Sequence, residues 1–231
     1  MDVSFYDLGI DPGLVQTLEK QGITEPFEVQ LEAIPDAMLG NDICCRAPTG
    51  SGKTLAFGLP LISRTPRADP EFPTALILSP TRELAEQICS VLTPLAATFD
   101  LEVLSIYGGV PYGRQRKALS RGVDIVVACP GRLLDLIEQG HAKLGNINTL
   151  VLDEADHMFD MGFLKAIRKI LGYLPKKRQN LLFSATMPNA IRHLADDMLR
   201  KPHVVELAHK KPLELIEQVI YPVHPKQKLK L

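Results

Sequence analysis

Residues 47–54, Ala47-Pro48-Thr49-Gly50-Ser51-Gly52-Lys53-Thr54, place glycine, lysine and hydroxyl side chains in the order that phosphate chemistry requires. They follow a short apolar run and precede a helical pattern. Gly50 and Gly52 let the backbone turn its N–H groups toward an anion. The start of the next helix adds partial positive charge. Thr49 and Ser51 complete the loop, Lys53 is spaced to reach the terminal phosphates of a nucleotide, and the Thr54 hydroxyl suits Mg²⁺. A second stretch, Asp153-Glu154-Ala155-Asp156, follows the apolar run Leu150-Val151-Leu152. A carboxylate at the carboxyl end of a strand beside a phosphate loop is where a Mg²⁺ ligand belongs, which makes Asp153 the candidate, directly or through water. Glu154 is one step on and is placed to orient or deprotonate an attacking water. Either stretch alone reads as a turn or a solvated loop; together they indicate nucleotide phosphoryl chemistry.

These residues need a scaffold that brings strand ends together, and the pattern supplies one. Strands are expected at Ile43–Ala47, Ala75–Leu78, Glu102–Tyr107, Asp124–Ala128, Thr149–Leu152, Asn180–Phe183 and Val204–Leu207. Several are unbroken Val/Ile/Leu runs, the mark of strands buried on both faces. Helical patterns alternate with them at Lys53–Ile62, Arg82–Ala97, Gly113–Arg121, Arg132–Gln139, Leu164–Leu174 and Asn189–Leu199. Two more, Pro12–Gln21 and Phe27–Leu39, come first, and Pro12 after Asp11 is a helix-start signal. The alternation predicts an α/β fold with a mostly parallel central sheet and helices on both faces. Thr65–Pro73 holds three prolines and reads as an exposed loop. Past Leu207 the pattern weakens. Val219–Val223 is one more extended candidate, and the basic HPKQKLKL end stops without a cap, as expected of a piece of a longer chain.

Composition bounds the possibilities. At 231 residues and 45% hydrophobic, the chain supports one large core. No apolar run approaches the roughly 20 residues of a membrane span, and the acidic N-terminus is not a signal peptide. A cytoplasmic protein is the expectation. Net charge is −1, so any nucleic-acid site must be a local patch; taken alone, this mildly disfavours one. Cys44, Cys45, Cys89 and Cys129 form no C-x-x-C pair and read as small thiols in a reducing compartment.

Asp153–Asp156 spells DEAD, and the chain resembles the DEAD-box family of RNA helicases. Gly22–Gln30 resembles that family's Q motif, which implies a hydrogen bond from Gln30 to the adenine edge. Phe5 fits the upstream aromatic that packs on the base. Ala47–Thr54 matches the family's form of the phosphate loop (Walker A), A-x-T-G-x-G-K-T. Ser184-Ala185-Thr186 matches its SAT motif, which contacts the acidic motif and couples turnover to duplex opening. Pro80-Thr81-Arg82, Gly108-Gly109 and Pro130-Gly131-Arg132 resemble its RNA-facing segments, with Arg82 and Arg132 as phosphate partners that read backbone and not bases. Met161-Gly162-Phe163 continues the acidic stretch as in the family, with Phe163 read as a core anchor. Two positions depart: Phe27 stands where the family has Thr or Ser, and Cys129 where it has Thr.

The resemblance implies a RecA-like P-loop domain. Residues 1–40 would pack a Q-motif region onto a 41–210 ATP-binding core, and 211–231 would begin a linker to a second RecA-like domain. It implies ATP and Mg²⁺ as cofactors, RNA as partner, a monomeric isolated chain, and slow hydrolysis without the second domain's arginine fingers. Two alternatives stay open: a DNA-directed enzyme of a neighbouring helicase family, and a nucleotide-gated RNA clamp.

Overall fold

The computed structural model describes residues 3–207. Helices α1 (Pro12–Lys20) and α2 (Glu28–Met38) precede β1 (Ile43–Arg46), α3 (Lys53–Arg64), β2 (Ala75–Leu78), α4 (Arg82–Ala96), β3 (Val103–Ile106) and α5 (Tyr112–Arg121). Then follow β4 (Ile125–Ala128), α6 (Pro130–Glu138), β5 (Thr149–Leu152), α7 (Ala155–Asp160), α8 (Leu164–Tyr173), β6 (Gln179–Ser184), α9 (Asn189–Met198) and β7 (His203–Glu206). All seven strands pair in parallel, in the order β3-β4-β2-β5-β6-β1-β7. Every loop that leaves a strand therefore emerges at one edge of the sheet.

The unbroken apolar runs are explained by burial on both faces. Ile77, Val127, Val151 and Phe183 point into one apolar cluster with α1 to α4. Leu78, Val126, Leu150 and Leu182 point into the opposite cluster with α5 to α9. Leu14, Leu18, Val29 and Ile34 of the first two helices share the first cluster with Phe57 of α3 and Leu92 of α4. The segment before β1 is thus continuous with the core.

Some boundaries differ from the sequence expectation. Helix α6 begins at Pro130, two residues before Arg132, because proline fits the first helical turn. Helix α7 was not anticipated, since six residues are too few to display an apolar period. The 65–73 segment is exposed only at its centre; Thr65 and Pro73 are buried. No helix among the described residues is long and apolar enough to cross a membrane. The expected strand at Val219–Val223 and the 211–231 segment lie outside the described residues.

Two buried aspartates lock the strand entrances. Asp124 accepts from Ala68 N at 2.5 Å and Glu102 N at 2.7 Å. Asp42, 6% exposed, accepts from Asn180 N at 2.8 Å, Asn180 Nδ2 at 3.2 Å and Arg200 N at 2.8 Å. Removing its carboxylate strands donors that water reaches poorly. Asp42→Ala is expected to cost about 2–3 kcal/mol, read as a lower urea midpoint with an unchanged slope.

Candidate functional site

The strand order sorts the edge loops. β1, β6 and β5 are neighbours, and they carry the phosphate loop, the Ser184–Thr186 turn and the acidic turn. β2, β4 and β3 are neighbours, and they carry Pro80–Arg82, Pro130–Arg132 and Gly108–Gly109. The edge has a nucleotide half and a basic, glycine-bearing half.

In the nucleotide half, Gly52 adopts φ +91° at the start of α3. A Cβ there would lie 2.6 Å from Gln30 Nε2 and 2.7 Å from Phe27 Cδ2, so a side chain would have to displace both on a backbone already strained for anything but glycine. Lys53 is 7% exposed and donates to the Ala47 carbonyl at 2.9 Å and the Pro48 carbonyl at 3.4 Å. The ammonium is therefore held inside the loop's own curve. Ser51 Oγ donates to Pro48 O at 2.8 Å, closing the turn. Thr49 and Gly50 are exposed at the tip, and Thr54 is half-buried at the first turn of α3.

Asp153 is 3% exposed, and its Oδ1 accepts the Glu154 N–H at 3.0 Å. Burial pushes its carboxyl up to about 7; the Lys53 charge pulls it down, and the Glu154 charge adds to the rise. Glu154 sits at φ +51°, a left-handed conformation rarely taken by a residue with a side chain. That twist separates the two carboxylates, and Glu154 Oε2 lies 3.3 Å from His157 Nδ1.

The acidic turn and the Ser184–Thr186 turn are joined through Asp156, a residue the sequence reading did not single out. Its carboxylate accepts both the N–H and the hydroxyl of Thr186 at 2.8 Å each. Its own N–H donates to Ser184 Oγ at 3.0 Å. Burial raises the Asp156 carboxyl, but the hydrogen bonds from Thr186 and Ser184 outweigh it and hold it below its ordinary value. The signal was the motif itself: a third carboxylate two residues after Glu154.

The adenine-side residues are placed differently from the expectation. Phe5 is 1% exposed within the first apolar cluster, so its ring is covered and presents no face to a base. This corrects its assignment as the stacking aromatic; the apolar core claims it first. The exposed ring beside the loop is Phe27, 58% exposed, which lines a 320 Å³ cleft with Gly22, Thr24, Gln30 and Gly52. Gln30 is 2% exposed, accepts the Phe27 N–H at 2.9 Å and donates to Gly52 O at 3.0 Å. The first bond steadies the start of α2 and the second fastens that helix to the phosphate loop.

In the other half, Gly108 and Gly109 are exposed, and Gly109 has φ +81°. Arg82 is more than half exposed, 5.9 Å from the Tyr107 ring centre and bonded to Glu83 at 3.3 Å. Thr81 caps α4 by accepting Leu84 N at 3.2 Å. Pro80 and Pro130 are buried, and Gly131 is half-buried. Arg132 turns inward: it donates to Val110 O at 2.9 Å and Gln115 Oε1 at 3.3 Å, and lies 3.9 Å from the Tyr112 ring centre. Its first role is to hold the glycine turn. Phe163 is half-buried against the second cluster, as a core anchor.

Both departures from the family pattern fall on helix N-caps. Phe27 precedes α2 and Cys129 precedes α6, and neither supplies a side-chain cap. The Cys129 thiol is buried and pushed up to about 11 by that burial, so it stays protonated. A hydroxyl there would satisfy an orphan N–H of α6. Cys129→Thr is expected to stabilise the chain by about 1 kcal/mol, read as a raised denaturant midpoint.

Comparison with known proteins agrees with this arrangement. The family model described as DEAD/DEAH box helicase matches residues 27–194. The chain is 43% identical over 225 residues to the DEAD-box ATP-dependent RNA helicase 3A, chloroplastic, of Zea mays, covering 94% of this chain and 30% of that protein. It is 42% identical over 227 residues to the DEAD-box ATP-dependent RNA helicase CshA of Streptococcus pneumoniae, covering 98% and 43%. The chain spans less than half the length of these relatives. Its fold matches the crystal structure of a DEAD box protein from Methanococcus jannaschii with a TM-score of 0.84 and 36% identity, over 89% of this chain and 56% of that one. The parallel sheet is therefore RecA-like, and the chain belongs to the DEAD/DEAH box helicase family.

Proposed function

We propose that this chain is the nucleotide-binding half of an ATP-dependent RNA helicase, working with a second RecA-like domain in the complete protein. The observation that carries the reading is the strand order. It seats the phosphate loop, the acidic turn and the Ser184–Thr186 turn on adjacent strands, and the three basic or glycine turns on the next three, along one edge. In this reading residues 1–40 form the adenine side of a 41–210 core, and the 211–231 segment leads toward the second domain.

Each side chain has a task that its position suits. The N–H groups of residues 49–54 wrap phosphate oxygens, and Lys53 exchanges its carbonyl partners for the terminal phosphates. Thr54 and Asp153 would hold Mg²⁺ together with the phosphates. The donor set suits that ion: a hydroxyl and a carboxylate are hard oxygen ligands, and Mg²⁺ takes one or two from protein beside substrate phosphates. When bound, the ion supplies neutralisation of the phosphate charge. Glu154 orients the attacking water and takes its proton. Asp156, Ser184 and Thr186 carry changes at the acidic turn into β6. Gly108, Gly109 and Arg82 meet the RNA backbone, with Arg132 fixing the glycine turn from beneath. Charge on the transferred phosphoryl is completed by arginines of the second domain.

The deciding measurement is ATP turnover by the complete protein with RNA or with DNA of the same sequence. Stimulation by RNA alone is expected. Equal stimulation by both would sink RNA as the substrate, and none by either would sink the helicase reading. At the base site, Phe27→Ala is expected to weaken adenine-nucleotide affinity about tenfold through loss of a stacking face. Titration with a fluorescent adenine nucleotide reads this out, and an unchanged affinity would remove Phe27 from the site.

A further inference from the structure

The edge opposite the nucleotide site carries a second set of chemical groups. A 360 Å³ cleft lies between the last turns of α8 and α9 and the entrance of β6, lined in part by Lys176, Arg178, Asn180, Asp197 and Arg200. Two guanidiniums are pinned there side by side. Arg178 donates from Nε to Asn180 Oδ1 at 2.8 Å and from Nη1 to the Pro175 carbonyl at 2.6 Å. Arg200 donates from Nη2 to the next carbonyl, Lys176, at 2.6 Å.

The support behind them is rigid. Asn180 is 2% exposed and is itself bonded to buried Asp42, which also accepts the Arg200 backbone N–H. Burial, and then the Arg200 charge, pull the Arg178 guanidinium below its ordinary range; Asp42 offsets part of this. Each fork keeps N–H groups without a partner among the described residues, Nη2 on Arg178 and Nε and Nη1 on Arg200. Lys176 makes no ion pair among the described residues, and Asp197 on the rim lies beyond 4.0 Å of all three cations. The C-terminal ends of α8 and α9 favour nearby cations. Yet these arginines bond loop carbonyls beyond the helices, so the helix ends do not account for the unused donors.

We infer that this cleft is a second anion site, which binds a phosphate dianion, free or as a monoester, between Arg178, Arg200 and Lys176. Two planar forks from separate segments, with an ammonium on the same loop as Arg178, match a tetrahedral oxyanion with several acceptor oxygens; one fork alone would suffice for a carboxylate. The source is either free orthophosphate or the terminal phosphate of a mononucleotide. The inference does not depend on the helicase reading.

The test is residue-resolved NMR of the ¹⁵N-labelled chain at constant ionic strength, titrated with orthophosphate, AMP, adenosine or chloride. Saturable shifts are expected at Gly172, which also lines the cleft, and at Arg178 and Arg200 with orthophosphate or AMP, and not with adenosine or chloride. They should persist in Lys53→Ala, which removes the competing response of residues 49–54. Tighter binding of AMP assigns a nucleotide source; tighter binding of orthophosphate assigns the free ion. Arg178→Gln and Lys176→Gln should each weaken the far-edge response, Arg178→Gln about tenfold. The exposed Lys176 variant guards against misfolding as the cause. Shifts confined to residues 49–54, or far-edge shifts that chloride reproduces, overturn the proposal.

Discussion

Glu154→Gln is expected to lower ATP turnover in the complete, RNA-saturated protein by roughly 10²–10⁴-fold, the usual contribution of a positioned general base. Gln keeps the length and shape of Glu and tolerates the same backbone, so the left-handed turn at φ +51° should survive. What disappears is the ability to accept a proton. Nucleotide affinity should stay within about threefold, because the proposed phosphate grip belongs to residues 49–54, Lys53 among them. The split is what makes the test sharp. A variant that loses affinity and rate together would point to a collapsed turn. A variant with unchanged single-turnover hydrolysis would show that another group moves the proton.

The strained backbone explains why this position matters. Asp153 follows β5 with its carboxylate buried, while Glu154 turns its carboxylate toward His157 and the half-exposed rim. A regular helix start at Glu154 would need no positive φ. Holding a non-glycine residue there costs on the order of 1 kcal/mol, and the bonds from Thr186 and Ser184 to the next turn offset it. The DEAD turn is thus bound to β6 by its last aspartate, and its first two carboxylates face different tasks.

Much of this was legible before any coordinates. Strands β2 and β5 match their expected bounds because a run such as Ala75-Leu76-Ile77-Leu78 suits little other than a doubly covered parallel strand. The proposed phosphate loop and acidic turn stand out in the sequence because glycine, lysine and carboxylate are what that chemistry requires. What was not legible depended on competition for a side chain. Phe5 is an aromatic in the right place for a base, but a buried core position outranks a ligand in the folded chain. Arg132 has the fork for a phosphate, and its Nη1 is spent on the Val110 carbonyl and Gln115 while its plane lies near the Tyr112 ring. Neither outcome has a local signature, since each depends on an element distant in sequence. The reverse holds for Phe27 and Cys129. Both were visible as departures, and the structure supplies the reason they matter: each occupies a cap where a hydroxyl would bond the helix start.

Asp153→Asn is expected to stabilise the chain at alkaline pH and to do little at acid pH. An unfolded aspartate ionises near pH 4, whereas burial holds Asp153 at about 7. Because the folded value is the raised one, its contribution is fully present below about pH 4 and is lost as the pH climbs through about 7. The gap corresponds to roughly 4 kcal/mol as an upper figure, and loss of the Coulombic partner of Lys53 reduces the variant's gain. For a chain of this size, each 1 kcal/mol moves the melting temperature by about 2–4 °C. The measurement is the difference in melting temperature between variant and parent at pH 5 and at pH 8.5, without divalent cations. The difference should grow by several degrees toward the higher pH. An equal difference at both values would show that Asp153 is not a buried carboxylate held protonated. The same burial cost bears on the proposed function: in that reading a divalent cation beside the phosphates would offset the cost of the charge. MgATP should therefore stabilise the parent more than Asp153→Asn, and the excess should increase from pH 6 to pH 8 as the carboxylate is freed to take the ion.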